Sequence, residues 1–228
     1  MKASCNMDGW NWAARLLHFS DSALPVGAYA HSFGLEGVCQ MGVVEDEDTL
    51  VLFLCRDVAG ALYSVDLPLF ALAYEAAMDG VVEDLQRLDQ LSWALRPTRQ
   101  LREAASKIGK QQWRLYQRTW QGGPEVDLPC EQSPIIMGLI FANEAIPMEA
   151  GLWSIAYQTY SALVQAALKL LPIGPASAQH VLHLAMEAIG PHLEDAAGLS
   201  EDSVGTFNPV WDIGASQHEE AKARMFIS

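Results

Sequence analysis

Apolar residues in this chain recur at intervals of three and four. In EDLQRLDQLSWALR, Leu85, Leu88, Leu91 and Leu95 share one helical face. That is the spacing of an amphipathic helix lying on a core. Trp10 to Phe19 repeats the pattern in a shorter segment. DEDTLVLFLCRDVAGALYSVD opens on acidic residues and then places Leu50, Phe53 and Leu54 on one side. Acidic side chains in a first turn complement the positive end of the helix dipole. Pro68 suits the first turn of a following helix, which runs through Leu72 and Ala76 to Met78 and closes at Gly80. Thr98 to Trp120 predicts a long basic helix with a bend at Gly109.

QGGPEVDLPCEQ, residues 121–132, carries two glycines, two prolines and no period, so it reads as a loop. SPIIMGLIFANEAI follows, with Ser133 as expected N-cap and Pro134 at the first helical position. Pro147 opens a helix to about Leu171 that is apolar nearly all round, which predicts a central, buried element. LPIGPAS breaks it, Ala176 to Ala197 is the last long helix, and an irregular chain is expected after Ser200. No alternating strand pair with a two-residue turn and no fixed-period repeat is present. The pattern predicts an all-α fold: one helical domain of roughly eight to ten helices over 1–228. The N-terminal 1–8 is expected to be flexible, 121–132 to be a loop, and 212–228 to be a docking tail.

Composition narrows the function. Half of the 228 residues are hydrophobic, enough to bury a substantial core. Asp and Glu number 28 against 14 Lys and Arg, a net charge of −14 that argues against phosphate-backbone binding. Cys5, Cys39, Cys55 and Cys130 form no CxxC pair, so zinc-ribbon and thioredoxin-type sites are not indicated. Scattered cysteines fit free thiols in a reducing cytosol. MKASCNMDGW has no apolar core of a signal peptide, and LVLFLC is far too short to span a bilayer. The expectation is a cytoplasmic protein that meets neither nucleic acid nor membrane.

Familiar catalytic motifs are missing. There is no GxxxxGK[ST], and GAYAHSFG is neither GxGxxG nor preceded by a strand. No GxSxG occurs. HEEAK begins like HExxH, but Lys222 stands where the second zinc ligand belongs, and an ammonium cannot bind zinc as an imidazole does. His180, His183 and Glu187 share one helix face at i, i+3 and i+7, a weak candidate set for Ni²⁺ or Zn²⁺ as well as an ordinary polar face.

Two stretches stand apart. LPVGAYAHSFGLEG, residues 24–37, gathers Pro25, Gly27, Tyr29, His31, Ser32, Gly34 and Glu36. It reads either as a tight turn into a helix with Tyr29 packed inside, or as a surface for a protein partner, where tyrosine offers a rigid body with a polar tip. Gly34, without a Cβ, lets another helix come close. The tail WDIGASQHEEAKARMFIS ends on Met225, Phe226 and Ile227 after Arg224. Apolar residues there either fold onto the chain's own body or insert into a partner. The residues leave three classes open: an adaptor, a small helical metalloenzyme using His180, His183 and Glu187, and a helical oligomer whose tail seals a dimer.

Five blocks in order resemble the urease accessory protein UreF family. They are LLHFSDSALPVGAYAHSFGLEG (16–37), LREAASKIGKQ (101–111), SPIIMG (133–138), LKLLPIGPASAQ (168–179) and DIGASQHEEAKARMFIS (212–228). Lys169 stands where that pattern has an arginine, and Gln132 where a histidine is common. The resemblance implies an all-helical, non-catalytic, usually dimeric protein. It would bridge UreD (also called UreH) to the GTPase UreG in a complex that delivers nickel to apo-urease. GTP would be bound by UreG, nickel would be handled transiently, and this chain would hold no cofactor. The resemblance matches Tyr29 and Arg224 to positions that engage UreG or the complex. Pro25, Gly27, Tyr29, His31, Ser32, Gly34, Glu36, His218, Glu219, Arg224, Met225, Phe226 and Ser228 are the expected partner contacts.

Overall fold

The computed structural model describes residues 11–27, 31–120, 123–217 and 226. Among them every regular element is helical, as the periodicity requires. In chain order they begin with α1 (Asn11–Ser20), α2 (Leu35–Gln40) and α3 (Glu47–Leu52). A π-turn (Phe53–Val58), α4 (Ala59–Ala61), a second π-turn (Leu62–Asp66) and α5 (Leu67–Asp79) continue α3 without interruption. Next come α6 (Val82–Leu95), α7 (Arg99–Trp120), α8 (Ser133–Asn143), α9 (Met148–Leu170) and α10 (Pro175–Ile189). A 3₁₀ turn (Gly190–His192), α11 (Leu193–Ala197), a 3₁₀ turn (Glu201–Ser203) and α12 (Pro209–Gln217) complete the series. No helix among the described residues is long and apolar enough to cross a membrane.

The core is built around α8. Nine of its eleven residues, Pro134 to Ala142, are buried, and α5, α6, α7 and α9 pack around it. The 147–171 helix, expected to be central and buried, is α9, and eleven of its 23 residues are buried. α9 keeps an outer face, with Trp153 44% and Tyr157 38% exposed. A helix apolar all round needs neighbours on every side, and α8 is the one that has them.

Several boundaries differ for identifiable reasons. Pro68 was expected to start a new helix, yet the chain stays helical from 47 to 79. Proline has no N–H to give to the carbonyl four residues back. That carbonyl, of Ser64, accepts from the Gly205 N–H at 2.9 Å instead. The wide turn just before Pro68 thus hands its orphan acceptor to a distant segment. Ser133 is the first residue of α8 and Gln132 is the N-cap, because the Ser133 hydroxyl donates to Gln112 Oε1 at 2.8 Å and does not fold back on its own helix. The expected 176–197 helix is interrupted at Gly190-Pro191. The chain after Ser200 holds α12, where irregular structure was expected.

The 123–132 segment lies along α6 and α7 without regular structure. Asp89, fully buried, accepts from the N–H groups of Cys130, Glu131 and Gln132 at 2.6, 3.1 and 2.7 Å. Burial pushes its carboxyl upward, and these three N–H groups oppose that. α7 runs unbroken through Gly109, where a Cβ would strike the Glu131 carbonyl oxygen. The glycine provides room for the loop at a point where the sequence suggested a bend.

Candidate functional site

The two stretches singled out from sequence meet in space: α2 packs against α12. The junction begins at Phe33, with φ +51°, and Gly34, with φ +84°. Gly34 takes this left-handed backbone without a steric penalty. Its hydrogen atoms face Ala215, which a Cβ would overlap. One turn on, Gly37 faces Gly214, and Gly214 in turn faces Val38. Small residues on both helices therefore let the backbones nearly touch. Trp211 locks the crossing: its indole N–H donates to the Phe33 carbonyl, and its ring lies edge-on to Phe53 at 6.1 Å.

The start of α12 is anchored to the first π-turn. Asn208 Nδ2 donates to the Asp57 carbonyl at 2.8 Å, and Asn208 Oδ1 accepts from the Trp211 N–H at 3.4 Å. With the Gly205–Ser64 bond, both wide turns of the long helical run hold the chain that leads into α12. π-turns leave main-chain acceptors outside the regular ladder, and here those acceptors position the tail helix.

The expected contact residues that the structure describes divide into two groups. Pro25 and Gly27 are exposed. His31, Ser32, Gly34 and Glu36 are buried against the body of the chain. Phe226 is also buried, at 7% exposure, with Lys169 Nζ 5.0 Å above its ring. The described part of the tail, 212–217 and Phe226, thus lies against the chain's own body. Tyr29, His218, Glu219, Arg224, Met225 and Ser228 lie outside the described residues. Two apolar residues that the sequence reading did not single out are open to solvent at this end of the molecule: Phe207, 90% exposed, and Ile213, 49% exposed. Ile213 sits between buried Trp211 and Gly214 in a helix of weak amphipathicity, so periodicity alone did not mark it.

The chemistry of reactive groups here is quiet. Burial, then the nearby Glu36, pushes the Cys39 thiol up to about 11, and burial also raises Cys55 and Cys130. Thiols held protonated are poor nucleophiles and poor metal ligands. His180, His183 and Glu187 are all exposed. His180 Nδ1 pairs with Glu47 Oε1 of α3 at 3.0 Å. Among the described residues no three His, Cys, Asp or Glu side chains converge as a metal cage.

Comparison with known proteins gives a consistent result. The family model described as UreF matches residues 44–185. The urease accessory protein UreF of Paenarthrobacter aurescens (strain TC1) is 31% identical over 224 residues, covering 93% of this chain and 96% of that protein. UreF of Klebsiella pneumoniae subsp. pneumoniae is 30% identical over 219 residues, with 94% and 96% covered. The bifunctional urease accessory protein UreEF of Bordetella bronchiseptica is 29% identical over 223 residues; this chain spans 52% of its length. With every regular element among its described residues helical and this likeness along most of its length, the chain belongs to the UreF family of urease accessory proteins.

Proposed function

We propose that this chain is a non-catalytic adaptor of urease maturation. It bridges UreD (UreH) and the GTPase UreG so that nickel, as cargo, enters apo-urease in a GTP-dependent step. GTP belongs to UreG, and this chain carries no resident cofactor. It works in the cytoplasm, as a homodimer. The supporting observation is the construction of α12. Its inner face is fixed on α2 by glycines and the Trp211 bond, while Phe207 and Ile213 remain in water. A helix with exposed Ile213 on its outer side, and exposed Phe207 just ahead of it, suits a protein partner. The bifunctional Bordetella relative, named for two accessory proteins in one chain, is in keeping with an adaptor among accessory proteins.

A capture experiment with tagged UreD and UreG tests this reading. Deleting 212–228 would cut through α12, so the better variants are removal of 218–228 and the pair Phe207→Ser with Ile213→Asp. The pair is expected to keep its helical circular dichroism and to lose UreD capture by at least tenfold. Undiminished capture by both variants, or nickel-replete urease in a strain lacking the chain, would reject the adaptor role.

A further inference from the structure

A cavity of about 180 Å³ lies beside the α2–α12 junction. Phe33 and Trp211 stand in its wall together with apolar residues of α7 and α9 such as Leu101 and Ile155. Its charged residues are Asp66, Arg96 and Asp212. Two of them neutralise each other: Arg96 pairs with Asp66 and also donates to the Ser92 carbonyl at 3.2 Å. Asp212 is different. No described residue gives its carboxylate a hydrogen bond or an ion pair. It is half-buried, and burial raises its carboxyl. Among the described residues, the wall therefore carries one unpaired carboxylate in a mostly apolar lining that also includes the uncharged polar side chains of Gln112, Gln158, Thr159 and Thr206.

A carboxylate in such surroundings is costly without a counter-charge. An anion would meet Asp212 and find the Arg96 guanidinium, the only one in the wall among the described residues, already engaged by Asp66. A wholly apolar guest would leave Asp212 desolvated and unpaired. A cation on an apolar body satisfies both parts of the wall, and an indole face such as that of Trp211 adds cation–π attraction. An engineered cavity of ~150 Å³ admits benzene, so the volume here suits one aromatic ring with a small charged group. We propose that this cavity binds a small organic cation: a guanidinium, amidinium or ammonium on an apolar body of about that size. The site stands on its own geometry and does not depend on the urease reading.

Benzamidine is the probe, titrated calorimetrically into the full chain at neutral pH, with benzoate and toluene in parallel. Benzamidinium is expected to saturate one site, to bind at least tenfold more weakly to Asp212→Asn, and to outcompete both controls. Equal affinity for Asp212→Asn, or benzoate or toluene binding as tightly, overturns the assignment. Asp212 also favours the start of α12 electrostatically, so its variant could lose structure. Ala162→Phe, which fills the cavity from α9, then decides: a folded Ala162→Phe chain that still binds benzamidinium rejects the site, and one that does not supports it. Repeating the titration with UreD bound separates the sources of the cation. Blocked binding assigns the site to a lysine or arginine of the partner, and retained binding assigns it to a free amine.

Discussion

Gly37 of α2 and Gly214 of α12 meet backbone to backbone, and a Cβ on Gly37 would strike the Gly214 carbonyl oxygen. The contact joins a segment near the start of the chain to one near its end, and neither helix can shift far without breaking the Trp211–Phe33 hydrogen bond.

Gly37→Ala should therefore lower stability by about 2 kcal/mol, within the range of an overpacked core. The loss should concentrate at α12. Amide hydrogen exchange at 209–217 is expected to accelerate in the variant while α8 stays protected. Uniform protection with an unchanged melting curve would show that the crossing has room to relax.

Asp89 holds the 130–132 backbone through three N–H bonds. Removing the carboxylate leaves the buried Gln132 donor unpaired, at about 1–3 kcal/mol before relaxation, along with the partly buried donors of Cys130 and Glu131. Asp89→Ala is expected to cost about 3 kcal/mol or more in urea unfolding and to expose the amides of Cys130 and Gln132 to exchange. A cost under about 1 kcal/mol would mean that water or a shifted loop replaces the carboxylate.

Arg15 ties α1 to the core through Glu144, with 2.7 Å to Oε2 and 3.1 Å to the Glu144 carbonyl. Tyr116 donates to the other carboxylate oxygen at 2.8 Å, and Phe19 of α1 stacks on Trp120 at 4.7 Å. Breaking a buried pair costs about 3–5 kcal/mol, but Arg15 is 41% exposed. Solvent screening brings the expectation for Arg15→Ala down to about 1–2 kcal/mol. Loosening of α1 should also change the emission of Trp120, read against a Trp120→Phe control. Unchanged stability and emission would separate α1 from this network.

Asp46 caps α3. Its carboxylate accepts from the Thr49 N–H at 2.9 Å, and Thr49 Oγ1 accepts from the Asp46 N–H at 3.0 Å. The Thr49 side-chain bond first, then the Thr49 backbone bond, hold its carboxyl below the usual value. A carboxyl lowered in the folded state stabilises above its unfolded pKa and stops doing so as pH falls through the folded one. The start of α3 is therefore expected to fray only in acid, below the ordinary aspartate range. The Thr49 amide shift followed by NMR should report this step, and Asp46→Asn should flatten it. A step at or above the ordinary aspartate pKa would contradict the cap.

Much of the fold is legible along the chain because helix periodicity is local. Leu85 and Leu88 are buried as their spacing requires, Gly80 closes α5 in the left-handed conformation, and Gly34 marks a close helix approach. The candidate site was legible only in part. His31, Ser32 and Glu36 stand out as polar residues in an unusual stretch, but nothing in that stretch says that they are buried. Phe207 carries no periodic signal at all, and its exposure depends on where Asn208 is held by Asp57.

The sequence by itself determined the helical class, the long segments and the absence of familiar nucleotide and hydrolase motifs, since each depends on residues within a few positions of one another. Tertiary structure alone decided that the helix passes through Pro68, because the acceptor freed at Ser64 is taken by Gly205, far along the chain. It likewise decided that α12 seats on α2 and that Asp212 is left beside a cavity with no partner among the described residues. These outcomes depend on which surfaces fit when distant segments meet, and hydrophobic spacing along a chain carries no record of that fit.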